Sequence, residues 1–103
     1  MAATLPAKVE ISVQMAMALV RGAKKSEERE LDAEASTVIR RALLHLGGFR
    51  STSELRAATD SPAYFAYCLL NEVRFGETPE YRTRSLKSLE RQIITCMSWA
   101  LGQ

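Results

Sequence analysis

Helix starts and stops punctuate this chain so regularly that they constrain its fold more than any other feature. Ser51-Thr52-Ser53-Glu54 has the capping-box spacing, a serine followed three residues on by a glutamate. Thr59-Asp60-Ser61-Pro62 and Thr78-Pro79-Glu80 each place a hydroxyl cap directly before a proline. Proline suits the first helical position, where its missing N–H costs nothing. Stops follow at Gly47-Gly48 and at Gly76. The pattern predicts a helix ending at 47–48, a short helix to about Ala58, a helix from Pro62 to Gly76, and a final helix from Pro79 to about Leu101. The final helix carries the apolar stripe Leu86, Leu89, Ile93, Cys96 or Met97, and Ala100 or Leu101.

Upstream, Ser26 is the expected cap of a helix whose first turn holds Glu27, Glu28 and Glu30, acids that suit the positive end of the dipole. Its core face is Leu31, Ala35, Val38, Ile39, Ala42, Leu43 and Leu46, and Arg40, Arg41 and His45 suit its C-terminal end.

Residues 4 to 22 read two ways. Thr4-Leu5-Pro6 offers a cap and a proline for a helix ending at Gly22, with Val9, Val13, Ala16 and Val20 on one face. Val9, Ile11, Val13 and Met15 also alternate with Lys8, Glu10, Ser12 and Gln14, the period of a half-buried strand. No turn signal interrupts Met15 to Leu19, which favours the helix. The expected architecture is therefore all-α, a small bundle of four to five helices in one domain spanning 1–103, with a short N-terminal strand as the open alternative.

A chain of 103 residues supports one thin core. Its 14 basic and 12 acidic residues leave a net charge of +2, too mild to imply nucleic acid without a concentrated basic face. Met15 to Val20 is too short to span a bilayer, and Glu10 before it is foreign to a signal peptide. These features predict a cytoplasmic protein. Cys68 and Cys96 lie in apolar helical contexts and are expected reduced and buried, with a Cys68–Cys96 disulfide as the alternative.

Motifs for catalysis or metal binding do not occur. His45 is the single histidine and has no CxxC, HxxxH or HxxE companion, so it reads as a surface or helix-end residue; no metal or other cofactor is expected. No G-x-S-x-G is present, and Ile93, Ile94 and Met97 surround Cys96 with apolar groups that quiet a thiol. The expected protein is not an enzyme.

Binding has firmer residues. Between Pro62 and Phe75 only Asn71, Glu72 and Arg74 are strongly polar. Such a helix is either the centre of the core or partly an interface to a dimer mate or another protein. Tyr64, Tyr67, Leu70 and Phe75 are the candidate contact residues there, with Trp99 as a further aromatic anchor. On the last helix Arg84, Lys87 and Arg91 share a face opposite the apolar stripe, extended by Arg82 and diluted by Glu80 and Glu90. That face is either ordinary solvated surface or a basic patch for nucleic acid or an acidic partner.

Two resemblances bear on function. Lys8-Val-Glu-Ile-Ser-Val13 looks like the strand of a ribbon-helix-helix DNA-binding protein, and Ser36-Thr-Val-Ile-Arg-Arg-Ala-Leu43 is similar to that family's second helix. That likeness implies a dimeric DNA-binding repressor, its paired strands in the major groove and Lys8, Glu10, Ser12 and Gln14 facing the bases. Over its whole length the chain resembles small quorum-sensing anti-activators of the QslA type. The likeness is carried by Tyr64 to Phe75 and by the closing helix Ser85 to Trp99. It implies a homodimer that binds a LuxR-type transcription regulator, blocking the regulator's dimerisation and hence its DNA binding. Sequestration of a transcription factor is the leading expectation, and the DNA-binding repressor is the alternative.

Overall fold

The computed structural model describes residues 4–26 and 30–102. Five helices account for most of them: α1 (Ala7–Lys25), α2 (Ala33–Gly47), α3 (Thr52–Ala57), α4 (Pro62–Phe75) and α5 (Pro79–Leu101). The described residues contain no strand.

The downstream punctuation folds as expected. Ser51 Oγ accepts from Glu54 N at 3.2 Å, and Glu54 Oε1 reaches back to Arg50 N at 2.9 Å. Ser61 Oγ and Thr78 Oγ1 each accept from the backbone three residues on, at 3.1 Å, with Pro62 and Pro79 leading their helices. Gly48 closes α2 in the left-handed conformation at φ 72°, which strains any residue bearing a Cβ.

The first half departs from the expectations. Residues 8 to 15 are helical, so the alternation of Val9 to Met15 makes no strand. A ribbon-helix-helix arrangement needs those residues extended. The helical face wins because Val13, Ala16, Val20 and Ala23 all enter the core, whereas a strand buries only alternate side chains with no partner strand beside it. Gly22 does not end α1. A glycine inside a helix costs about 1 kcal/mol, but the turn beyond it buries Ala23 and pairs Lys24 with Glu90. Pro6, not Thr4, is the residue before α1, and it supplies no side-chain cap.

Ser26 likewise does not start α2: its N–H bonds back to Gly22 O and Ala23 O as the close of α1. Asp32 caps α2 instead, accepting from Ala35 N at 2.7 Å. Glu27 and Glu28, expected in the first turn of that helix, lie outside the described residues; Glu30 lies before the helix.

The packing is a pair of antiparallel hairpins, α1–α2 and α4–α5, with α3 bridging them. Ser85 Oγ donates to Glu72 Oε2 at 3.2 Å and Gln92 Nε2 to Pro62 O at 3.1 Å, which sets the α4–α5 register. Glu90 on α5 accepts from Arg21 at 2.9 Å and from Lys24, joining α1 to α5. Ile39, Leu43, Leu55, Leu70, Leu86, Leu89 and Ile93 fill the centre, each under 2% exposed. Among the described residues no helix is long and apolar enough to cross a membrane.

Candidate functional site

The sequence left α4 as either core or interface, and the fold divides it between the two. Ala63, Ala66, Tyr67, Leu69, Leu70 and Val73 face inward. Leu70 is 1% exposed and Tyr67 is buried, so neither presents a contact surface. Tyr67 Oη accepts from Arg56 Nε at 3.2 Å, and the guanidinium lies 5.9 Å from the ring centre. Burial pushes this phenol up, but hydrogen bonds with Arg56 and Asn71 and the charges of Arg56 and Arg40 outweigh it, leaving it below its usual range. Tyr67 thus ties α4 to α3.

The opposite side of α4 carries Tyr64, Phe65, Cys68, Asn71, Glu72 and Phe75. Phe75 is 70% exposed and Phe65 55%, while Tyr64 and Cys68 are half-buried. At the start of α5, Tyr81 is 42% exposed and lines a cleft of about 310 Å³ with Phe75, Gly76, Glu77 and Thr78. Aromatic residues of this size are usually covered in a monomer, and a contiguous exposed group marks an interaction surface.

The corner that presents Phe75 and Tyr81 is held by polar contacts. Arg82 Nη1 donates to Gly76 O at 2.7 Å. Tyr81 bonds to Glu72, and this bond and the Glu72 charge raise its phenol above the usual value. The Arg74 guanidinium lies 4.9 Å from the Phe75 ring centre. Gly76 is required by close approach: a Cβ there lies 2.6 Å from Glu72 O and 2.9 Å from Tyr81 Cδ1. A surface held before binding loses less entropy when it binds.

Trp99 does not join this group. It is 40% exposed at the other end of α5, about 27 Å from Tyr81 along the helix. There it lines a cleft of about 320 Å³ with Leu5, Val9, His45 and Leu46. His45 is half-buried at the end of α2, and its buried Nδ1 has no hydrogen-bond partner. Burial, then the charges of Lys8 and Arg41, hold its pKa below the usual value.

Arg84, Lys87 and Arg91 are all exposed along one side of α5. Glu80 shares a shallow cleft with Arg84 and Lys87, and Glu90 is engaged with Arg21 and Lys24. Cys68 and Cys96 are free thiols, with no disulfide between them. Cys96 is buried and its thiol is pushed up to about 12 by desolvation. Cys68, expected buried, is only half-buried, because it lies on the outer side of α4 next to Tyr64. Among the described residues no three His, Cys, Asp or Glu side chains gather at metal-binding distance.

Comparison with protein-family models, curated proteins and solved structures finds no match for this chain.

Sequence reasoning missed Phe65 and Tyr81. Phe65 was legible in part: on a helical wheel it falls next to Glu72 and Cys68, on the side away from Ala63 and Leu70. Tyr81 was not, because its exposure depends on how α5 turns back against α4.

Proposed function

We propose that this protein is a non-enzymatic regulator that acts by docking a protein partner on the α4–α5 aromatic corner. The observation that carries this reading is the exposure of Phe75 beside Tyr81 on a corner braced by Arg82 and Glu72. Exposed aromatic groups on a braced corner serve as anchors, since covering them removes much apolar surface from water at small entropic cost. Phe65 and Tyr64 continue the surface along α4, and Arg74 and Glu77 supply charged groups at its edge.

The partner class comes from the resemblance to QslA-type anti-activators: a LuxR-type transcription regulator, held so that it cannot dimerise or bind DNA. The test is affinity capture from the native cell with the wild-type chain and with Phe75→Glu. The wild-type chain is expected to retain a transcription regulator that the variant loses, and the purified regulator is expected to lose DNA affinity when the wild-type chain is added. Equal capture by both chains, or a captured regulator with unchanged DNA binding, overturns the reading.

A further inference from the structure

A cleft of about 320 Å³ opens where α1 begins and α2 and α5 end. Its walls are mainly apolar, with Leu5, Pro6 and Val9 on one side, Leu46 from α2 and Trp99 from α5. The volume is at the small end of ligand clefts, which run from about 300 to 1,000 Å³. It admits a ligand of about ten non-hydrogen atoms, taking as the measure the ~30 Å³ that one water occupies in the liquid.

One polar atom at this wall is unsatisfied. His45 lines the cleft, and its buried Nδ1 has no hydrogen-bond partner. A buried polar atom left unpaired carries its full desolvation cost, and a ligand atom that bonds to it removes that cost. The Cβ–Cγ torsion of histidine is soft, so the ring turns Nδ1 toward a ligand readily. Burial and the charges of Lys8 and Arg41 keep the imidazole neutral near neutral pH. A neutral imidazole with its proton on Nδ1 is a donor there, and the matching ligand atom is an acceptor.

The charge around the cleft is positive. Lys8 stands between Pro6 and Val9 in sequence, Arg41 lies about one turn before His45 on α2, and both charges reach His45. Pro6 gives α1 no side-chain cap, and the positive end of that helix dipole stands at the rim. The ends of α2 and α5 bring two negative dipole ends, each worth about half a charge. Two whole cations and the α1 end exceed them. Glu10 is turned to Gln14, whose Nε2 donates to it at 3.4 Å. An apolar wall with an aromatic face, one hydrogen-bond donor and a positive rim is complementary to an aromatic ring that bears a single carboxylate.

We propose that the cleft between Trp99 and His45 binds a small aromatic monocarboxylate, its ring against Trp99, Val9 and Leu46 and its carboxylate bonded to His45 Nδ1 and facing Lys8. The site lies about 27 Å along α5 from Tyr81, so the proposal does not rest on the partner-docking reading.

The test is titration of the full chain with hydrocinnamate, read by the emission of Trp99, the single tryptophan. The emission is expected to change saturably, and the uncharged amide of the same acid to bind about tenfold more weakly or worse. Lys8 is exposed, so Lys8→Glu alters the rim charge without touching the core. Lys8→Glu and His45→Leu are each expected to raise the hydrocinnamate dissociation constant about tenfold or more, with the helical signal unchanged. In NMR spectra of the full chain the probe is expected to shift resonances of Val9, His45 and Trp99. No saturable change up to millimolar probe, or equal affinity for the acid and its amide, overturns the proposal. Binding that both variants leave intact overturns it as well, as do shifts centred on Phe75 and Tyr81.

Discussion

Arg82 and Gly76 are joined by a 2.7 Å hydrogen bond from the guanidinium to the backbone carbonyl, across the turn between α4 and α5. The bond closes a corner with no room for a side chain at Gly76. Gly76→Ala drives a methyl into Glu72 O and the Tyr81 ring and is expected to destabilise the fold by about 1–3 kcal/mol. Arg82→Ala removes a charge-assisted bond and is expected to cost about 1.5–3 kcal/mol. Urea denaturation followed by circular dichroism measures both, and a midpoint unchanged in Gly76→Ala removes the close-approach argument.

Phe75 and Leu70 are about 1.4 turns apart on α4 with opposite surroundings. Leu70→Ala empties part of the core and is expected to cost about 2–5 kcal/mol of stability. Phe75→Ala changes an exposed ring and is expected to stay within about 0.5 kcal/mol of wild type. Thermal denaturation of the two variants side by side separates a core residue from a contact residue. Comparable losses in both would place Phe75 in the core.

Two groups set the acid response in different windows. His45 has a folded pKa below its usual value, so the unfolded chain takes up the proton first. The stability contribution of neutral His45 is complete above the ordinary histidine range and is lost as the pH falls through it toward the folded value. His45→Gln is expected to flatten that first loss.

Glu90 is lowered by its bonds with Lys24 and Arg21. Its contribution is present above the ordinary glutamate value and is lost as the pH falls through the lower folded value. Glu90→Gln is expected to remove the second loss, worth about 0.5–1 kcal/mol at low salt because Arg21 is largely exposed. Stability curves from pH 8 to pH 3 in each variant check both signs.

The two thiols are expected to react in sequence. Cys96 is buried with its thiol pushed up to about 12, so almost no thiolate forms at neutral pH. Cys68 is half-buried on the outer side of α4. Alkylation of the native chain followed by mass mapping is expected to mark Cys68 well before Cys96, and denaturant to equalise them. Equal native rates would show that α5 opens readily.

Where local chemistry decides structure, the sequence was sufficient. Ser51, Ser61 and Thr78 cap their helices through bonds to residues three positions away, and Gly48 stops α2 through its own backbone freedom. The stripe Leu86, Leu89, Ile93 and Cys96 was legible because helical spacing alone sets one face. Gly22 and Ser26 were misleading for the same reason that those caps were clear. Each is a local signal of about 1 kcal/mol, and burial of Ala23 and the Lys24–Glu90 pair outweigh it.

By itself, then, the sequence determined an all-α chain, most helix boundaries, and an α4 segment too apolar for an ordinary surface helix. Only the tertiary structure decided that Tyr67 and Leu70 are inside while Phe75 and Phe65 are outside, and that Tyr81 from another helix stands beside Phe75. It also decided that Trp99 belongs to the far end and that Ile11 and Met15 face water. The physical reason is that spacing along a helix tells which side chains share a side, whereas the packing of neighbouring helices decides which side is covered.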